Sequence, residues 1–203
     1  PHGTPRPTDA ILVRGGTCGA VGHALADDRG VTVIDATGMF VMPGIIDSHS
    51  HFAIEGGVNE MALSVVQECR VRDVINSEDV QIYRALGGGV TTARLLHGSA
   101  DVIGGPDAVV KMKFGRPARE MLVAGAPRGV KFALGENVKR TDGRFPNSRL
   151  GVEAVLIRAF TEARAYKKKW DEYEKSKAAA EPLPEPRRDL RLEALSEVLA
   201  GDI

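Results

Sequence analysis

Two histidines set two residues apart, His49 and His51, are the residues of this sequence best placed to do chemistry. They close the stretch Phe40 to Phe52, FVMPGIIDSHSHF, whose apolar residues Phe40-Val41-Met42 and Ile45-Ile46 are separated only by Pro43-Gly44. Such a run reads as one buried strand of a parallel sheet, covered on both faces. Successive strand side chains point to opposite faces, so His49 and His51 share a face, and Asp47 lies on it too. Two neutral imidazoles on one rigid element offer a divalent cation two nitrogen donors from one side. A bare His-x-His also arises from two exposed histidines by chance. The setting PGIIDSHSH is what makes the signal specific.

The elements that must position this pair can be read in chain order. Residues 1–8, rich in proline, read as a loose arm. Ala10 to Arg14 and Thr17 to Gly22 around Gly15-Gly16 read as a hairpin, and Val31 to Asp35 as a further short strand. After a glycine-containing loop from Phe52 to Asn59, Met61 to Val74 reads as a helix with an uneven apolar face. Ser77 is the expected N-cap of a helix over Glu78 to Leu86, which Gly87-Gly88-Gly89 ends. Val90 to Leu96 then reads as a strand, Ser99 to Gly105 as a loop, Pro106 to Phe114 as a short helix and Arg128 to Leu134 as another strand. A long amphipathic helix follows, capped by Asn147 or Ser148, with Val152, Val155, Ala159, Ala163, Tyr166 and Trp170 on one stripe. EPLPEP, Glu181 to Pro186, is a stiff linker, and Arg187 to Ala200 is a last helix stopped by Gly201.

Composition narrows the function classes. Lys+Arg and Asp+Glu both number 27, so no charge excess points to nucleic acid or an anionic membrane. Lys167-Lys168-Lys169 is offset by Asp171 and Glu172 on the same helix. Only Cys18 and Cys69 are present, against a disulfide-built scaffold. No run reaches the roughly 18 apolar residues of a membrane span. A cytoplasmic location is favoured, and a removed leader stays open. Gly104-Gly105 lacks the following Gly-Lys-Ser/Thr of a phosphate-binding loop.

Val33 to Gly38 and Val41 to His51, continued by Gly88-Gly89-Val90-Thr91-Thr92-Ala93-Arg94 and by Lys131-Phe132-Ala133-Leu134-Gly135-Glu136-Asn137, resemble the amidohydrolase superfamily, closest to its imidazolonepropionase-related branch. The resemblance implies an α/β chain: a small partial β domain over residues 1–39, then the N-terminal half of a metal-bearing (β/α)₈ barrel over 40–203. Strands at 40–49, 90–96 and 130–134 should be parallel neighbours with helices outside. A complete barrel needs about 250 residues, and this chain has 203. An incomplete part of an enzyme is therefore expected.

The implied activity is hydrolysis of a non-peptide or dipeptide-like C–N bond by water that a divalent metal has acidified. His49 and His51 match the ligands of the family's first strand. Where the family has a second metal, a carbamylated lysine or a glutamate at a middle strand end bridges it. Lys131 is the best match, with Glu136 behind it, and an ordinary strand-edge lysine is the alternative. His97 follows the second strand and could face the substrate, or could be a loop histidine without catalytic duty. Zinc is the expected metal, ahead of iron and manganese. No histidine follows His97, so the family's later ligands have no counterpart, and the isolated chain is expected to be inactive. The implied partners are a small-molecule substrate and either a missing C-terminal half or a second copy of the chain. A degenerate homologue using the half-barrel as a binding surface is the competing reading.

Overall fold

The computed structural model describes residues 10–22, 30–140 and 142–203. The proline-rich arm at 1–8 lies outside them. The chain divides into two compact units, Pro1–Pro43 and Gly44–Ile203.

In the first unit, strands β1 (Ala10–Arg14) and β2 (Thr17–Gly22) form an antiparallel hairpin. The turn between them needs positive φ at both central residues, and Gly15 and Gly16 supply it at φ 55° and 78°. The expected strand at Val31 to Asp35 does not form. Those residues join no ladder, and Val33 and Ile34 are largely exposed.

The second unit begins its regular structure with β3 (Ile45–Ser50). A 3₁₀ turn at Val71–Val74 is followed by α1 (Val80–Gly87), whose N-cap is Asp79 rather than Ser77: the Asp79 carboxylate accepts the Gln81 N–H at 2.9 Å. Strand β4 (Val90–Leu95) comes next, then β5 (Ile103–Pro106) and β6 (Ala108–Lys111). The short α2 (Ala118–Met121) leads to β7 (Val130–Phe132). The 28-residue α3 (Arg149–Ser176) is capped by the Ser148 hydroxyl, and α4 (Leu190–Ala200) ends at Gly201 in the left-handed region.

β3 and β4 are parallel neighbours, as expected. The third expected neighbour is not. The far side of β4 is taken by β6, antiparallel, while β7 pairs antiparallel with β5 in a separate two-stranded sheet. Two expected helices also fail. Residues 108–111 alternate buried and less buried positions, the period of a strand, and exchange their backbone bonds with β4. Segment 61–70 exchanges backbone bonds with β5: Val66 N–H donates to the Ile103 carbonyl, and Ser64 O accepts from Ile103 N–H.

Two apolar cores result. One joins Ala93 and Leu95 of β4, Ala108 and Val110 of β6, Ile82 of α1 and Met121 of α2. The other joins Ile103 of β5 to Val152, Val155, Ala159 and Ala163 of α3 and Leu195 of α4. Further along α3, Trp170 sits between Tyr166 and Tyr173, with ring centroids 6.2 and 5.8 Å away. The Tyr166 hydroxyl reaches Glu193 of α4 at 3.1 Å.

β3 starts at Ile45 rather than Phe40, and it is not buried. Phe40 is 86% exposed and Ile46 69%. The strand is the edge of its sheet, with β4 as its one neighbour among the described residues.

Candidate metal centre at the end of β3

β3 enters the sheet where Ile45 N–H donates to the Gly89 carbonyl at 2.9 Å, just ahead of β4. The parallel register then runs Ile46 to Thr92 and Asp47 to Ala93, slips, and resumes at Ser50 opposite Leu95. The slip is local chemistry. The Asp47 carboxylate accepts the N–H of His49 at 3.0 Å and the Ser50 hydroxyl, so it serves its own backbone. Those bonds, the Ser50 hydroxyl first, hold Asp47 below the usual carboxylate range.

Beyond the slip the two imidazoles meet. Their rings stand edge to face, 81° apart, with centroids at 4.9 Å and the two Nε2 atoms at 3.1 Å. Nδ1 of His51 lies 2.9 Å from the Leu96 carbonyl oxygen. A carbonyl can only accept, so Nδ1 carries the proton, and in the neutral ring Nε2 of His51 presents a lone pair. His49 titrates below the usual histidine range: partial desolvation is the main cause, and the charges of Lys131 and then His51 add to it. Both effects favour neutral imidazole, the form that binds metals. Two nitrogens bound cis to one ion at about 2.0–2.1 Å stand about 2.9–3.4 Å apart, from octahedral to tetrahedral angles. The observed 3.1 Å falls within that span. The pair therefore fits two neighbouring positions on a divalent cation. Among the described residues no group of three or more His, Cys, Asp or Glu side chains is arranged to hold a metal.

The other candidate residues divide. Lys131, on β7, is close enough for its charge to bear on His49. Glu136 is exposed and turned to cations of its own, pairing with Lys139 and with Arg149 at 3.3 Å. These partners, Lys139 first, lower its carboxyl. No hydrogen bond or ion pair joins it to the histidines among the described residues. His97 is only 5% exposed. Its Nδ1 stands 3.6 Å from Asp101 Oδ2, beyond hydrogen-bond reach, and Arg144 holds the other Asp101 oxygen at 2.7 Å. Burial raises the Asp101 carboxyl, against the opposing pull of Arg144 and His97. Gly104 lets this arrangement close, because a Cβ there would collide with the His97 ring. A cavity of about 240 Å³ lies between α3, α4 and residues 62–65, and neither His49, His51 nor Lys131 lines it.

Sequence reasoning missed the Leu96 carbonyl that sets the His51 tautomer, since any residue can supply a carbonyl. It also missed Asp79, passed over for the nearby Ser77.

No family model matches the chain. It is 31% identical over 197 residues to a protein named amidohydrolase tasK from Hapsidospora irregularis, covering 84% of this chain and 20% of that protein. Over 47 residues it is 45% identical to an allantoinase of Enterococcus faecalis, 23% of this chain and 10% of that one. Among solved structures it is similar to an amidohydrolase from Thermotoga maritima MSB8, with a TM-score of 0.81 and 33% identity over 94% of this chain and 50% of that one. The chain thus spans half or less of each of these relatives. Two of these relatives are named amidohydrolases and the third an allantoinase. None of these three is named for the imidazolonepropionase-related branch. Among the described residues no helix is long and apolar enough to cross a membrane.

Proposed function

We propose that this chain carries part of the metal site of a metal-dependent amidohydrolase of the imidazolonepropionase-related branch, acting on a non-peptide or dipeptide-like C–N bond. The observation that carries the reading is the 3.1 Å approach of two Nε2 atoms, one of them bared by the bond from Nδ1 to Leu96. β3 and β4 would be the first two strands of a (β/α) barrel, which keeps its chemistry at the C-terminal strand ends. His49 and His51 would hold the cation, zinc ahead of iron or manganese. When bound, such an ion acidifies water and polarises the scissile carbonyl.

The chain's own residues have distinct tasks. The Leu96 carbonyl orients His51, and the Asp47 turn fixes the backbone of His49. Lys131 stands within electrostatic reach of His49. As a neutral amine it could add to carbon dioxide, forming a carbamate, releasing one proton and gaining an anionic oxygen ligand. Glu136, in ion pairs with Lys139 and Arg149, is a weaker candidate for handling protons. His97 is buried against Asp101 and would shape a substrate pocket from beneath rather than touch the substrate. The binding-module reading is favoured by one observation, the lack of a three-ligand group among the described residues.

Titration with zinc, followed by calorimetry and metal analysis, separates the two readings. One equivalent should bind, and His49→Ala with His51→Ala should abolish it. Binding that survives the double substitution would refute the site, and a chain that takes up no metal would leave the binding module standing.

A further inference from the structure

Just beyond His51 the chain does something costly. Ala53 is fully buried and adopts φ 57°, the left-handed region that a residue with a Cβ rarely enters. Both of its backbone polar groups are held there. Its N–H donates to Asp79 Oδ2 at 2.7 Å, and its carbonyl accepts the Asn76 N–H at 2.9 Å. Asp79 meanwhile uses its other oxygen to cap α1 through the Gln81 N–H. One carboxylate thus joins the exit of β3 to the start of α1. On the near side, Ser50 O accepts the Leu96 N–H at 2.9 Å. His51 is clamped between these two anchors, with its Nδ1 on the carbonyl of the same Leu96.

We propose that Asp79 is a positioning residue for His51: by holding Ala53 in the left-handed conformation it fixes the exit of β3, so that the His51 ring bonds Leu96 and aims Nε2 at His49. The proposal rests on the metal reading only for its purpose, since the geometry it describes belongs to the chain itself. Capping α1 needs one oxygen. Holding Ala53 needs the second, and this separates a positioning role from a structural one. Serine is as good a helix cap as aspartate but has a single oxygen. Asp79→Ser therefore keeps α1 and releases Ala53. Glycine enters the left-handed region without a steric cost. Adding Ala53→Gly should therefore return the turn, and with it the ring.

The test is nitrogen-15 NMR of the histidine side chains in the metal-free chain, beside a cobalt(II) titration. In the wild type, His51 should show one tautomer, protonated at Nδ1. In Asp79→Ser its signals should average between tautomers, and cobalt affinity should weaken about 10- to 100-fold, the usual effect of losing a group that orients a ligand. Asp79→Ser/Ala53→Gly should restore both. Should the serine variant not fold, Asp79→Asn takes its place, because its amide offers one acceptor to two N–H donors. Unchanged His51 signals in the variant would overturn the proposal. So would failure of the glycine to rescue, which would assign the effect to α1. A wild type that takes up no cobalt would defeat the metal reading, and the tautomer comparison would still decide the role of Asp79.

Discussion

β3 and β4 lie side by side in one sheet, run the same way, and live in opposite environments. On β4, Thr92, Ala93 and Leu95 are buried, because β3 and β6 flank the strand and α1 and α2 contribute to the core it joins. On β3, Ile45 and Ile46 are open to solvent, and only Ser50 is buried. The strand bearing the histidine pair is thus the less protected of the two. Its geometry comes from bonds at its two ends, to Gly89 at entry and to Leu96 and Asp79 at exit. Burial supplies stability, and local hydrogen bonds supply aim.

That division can be broken at several points. The largest effect should come from Leu95→Ala, which empties a fully buried site on β4 and should cost about 2–5 kcal/mol in chemical denaturation. A loss below about 1 kcal/mol would mean that β4 is not the anchor of its sheet. Next comes the Asp101 carboxyl, raised by burial. A raised folded value means that the native state binds more protons than the unfolded one above the ordinary value of 3.8. Stability should therefore fall as pH climbs from there through the raised value. Asp101→Asn should flatten that slope in pH-dependent melting, and an unaltered slope would relieve Asp101 of the role. The smallest effect should be at Ile46→Lys, within about 0.5 kcal/mol of wild type because the side chain is exposed. The same change should reduce self-association in sedimentation, because a charge on an edge strand discourages edge-to-edge pairing. A large loss of stability would show that β3 is covered after all.

How much of this was legible depended on how local the determining interaction is. Ser148 and Gly201 could be read as helix ends because capping is decided within a few residues. The parallel pairing of β3 with β4 was expected because helical periodicity follows each apolar run. The partner of β7 could not be read, since Val130-Lys131-Phe132 suits either neighbour and only tertiary packing places it against Ile103. Residues 61–74 carried an uneven apolar pattern, and the structure resolves it as a backbone exchange with Ile103 that no periodicity encodes. In the site, the two-residue spacing put both imidazoles on one side of the strand end, where their Nε2 atoms stand 3.1 Å apart. The tautomer of His51 depended on a carbonyl 45 residues away. Ser77 and Asp79 cap about equally well, and Ser77 was favoured because acidic residues follow it; the second bond made by Asp79 is a long-range fact.

The place of Trp170 decides what an optical experiment will see. It is the single tryptophan of the chain, lodged between Tyr166 and Tyr173 on α3, where Tyr166 also reaches α4. Intrinsic emission therefore reports the α3–α4 pair and carries no direct signal from β3. Helical circular dichroism is weighted to the same two helices, whereas the histidine resonances watch the strand end. A single cooperative transition requires all three signals to coincide. If the histidine signals are lost at lower denaturant than the emission, the strand end is opening as a unit of its own. A melting curve read from fluorescence alone would then describe a scaffold still standing after its working end had let go.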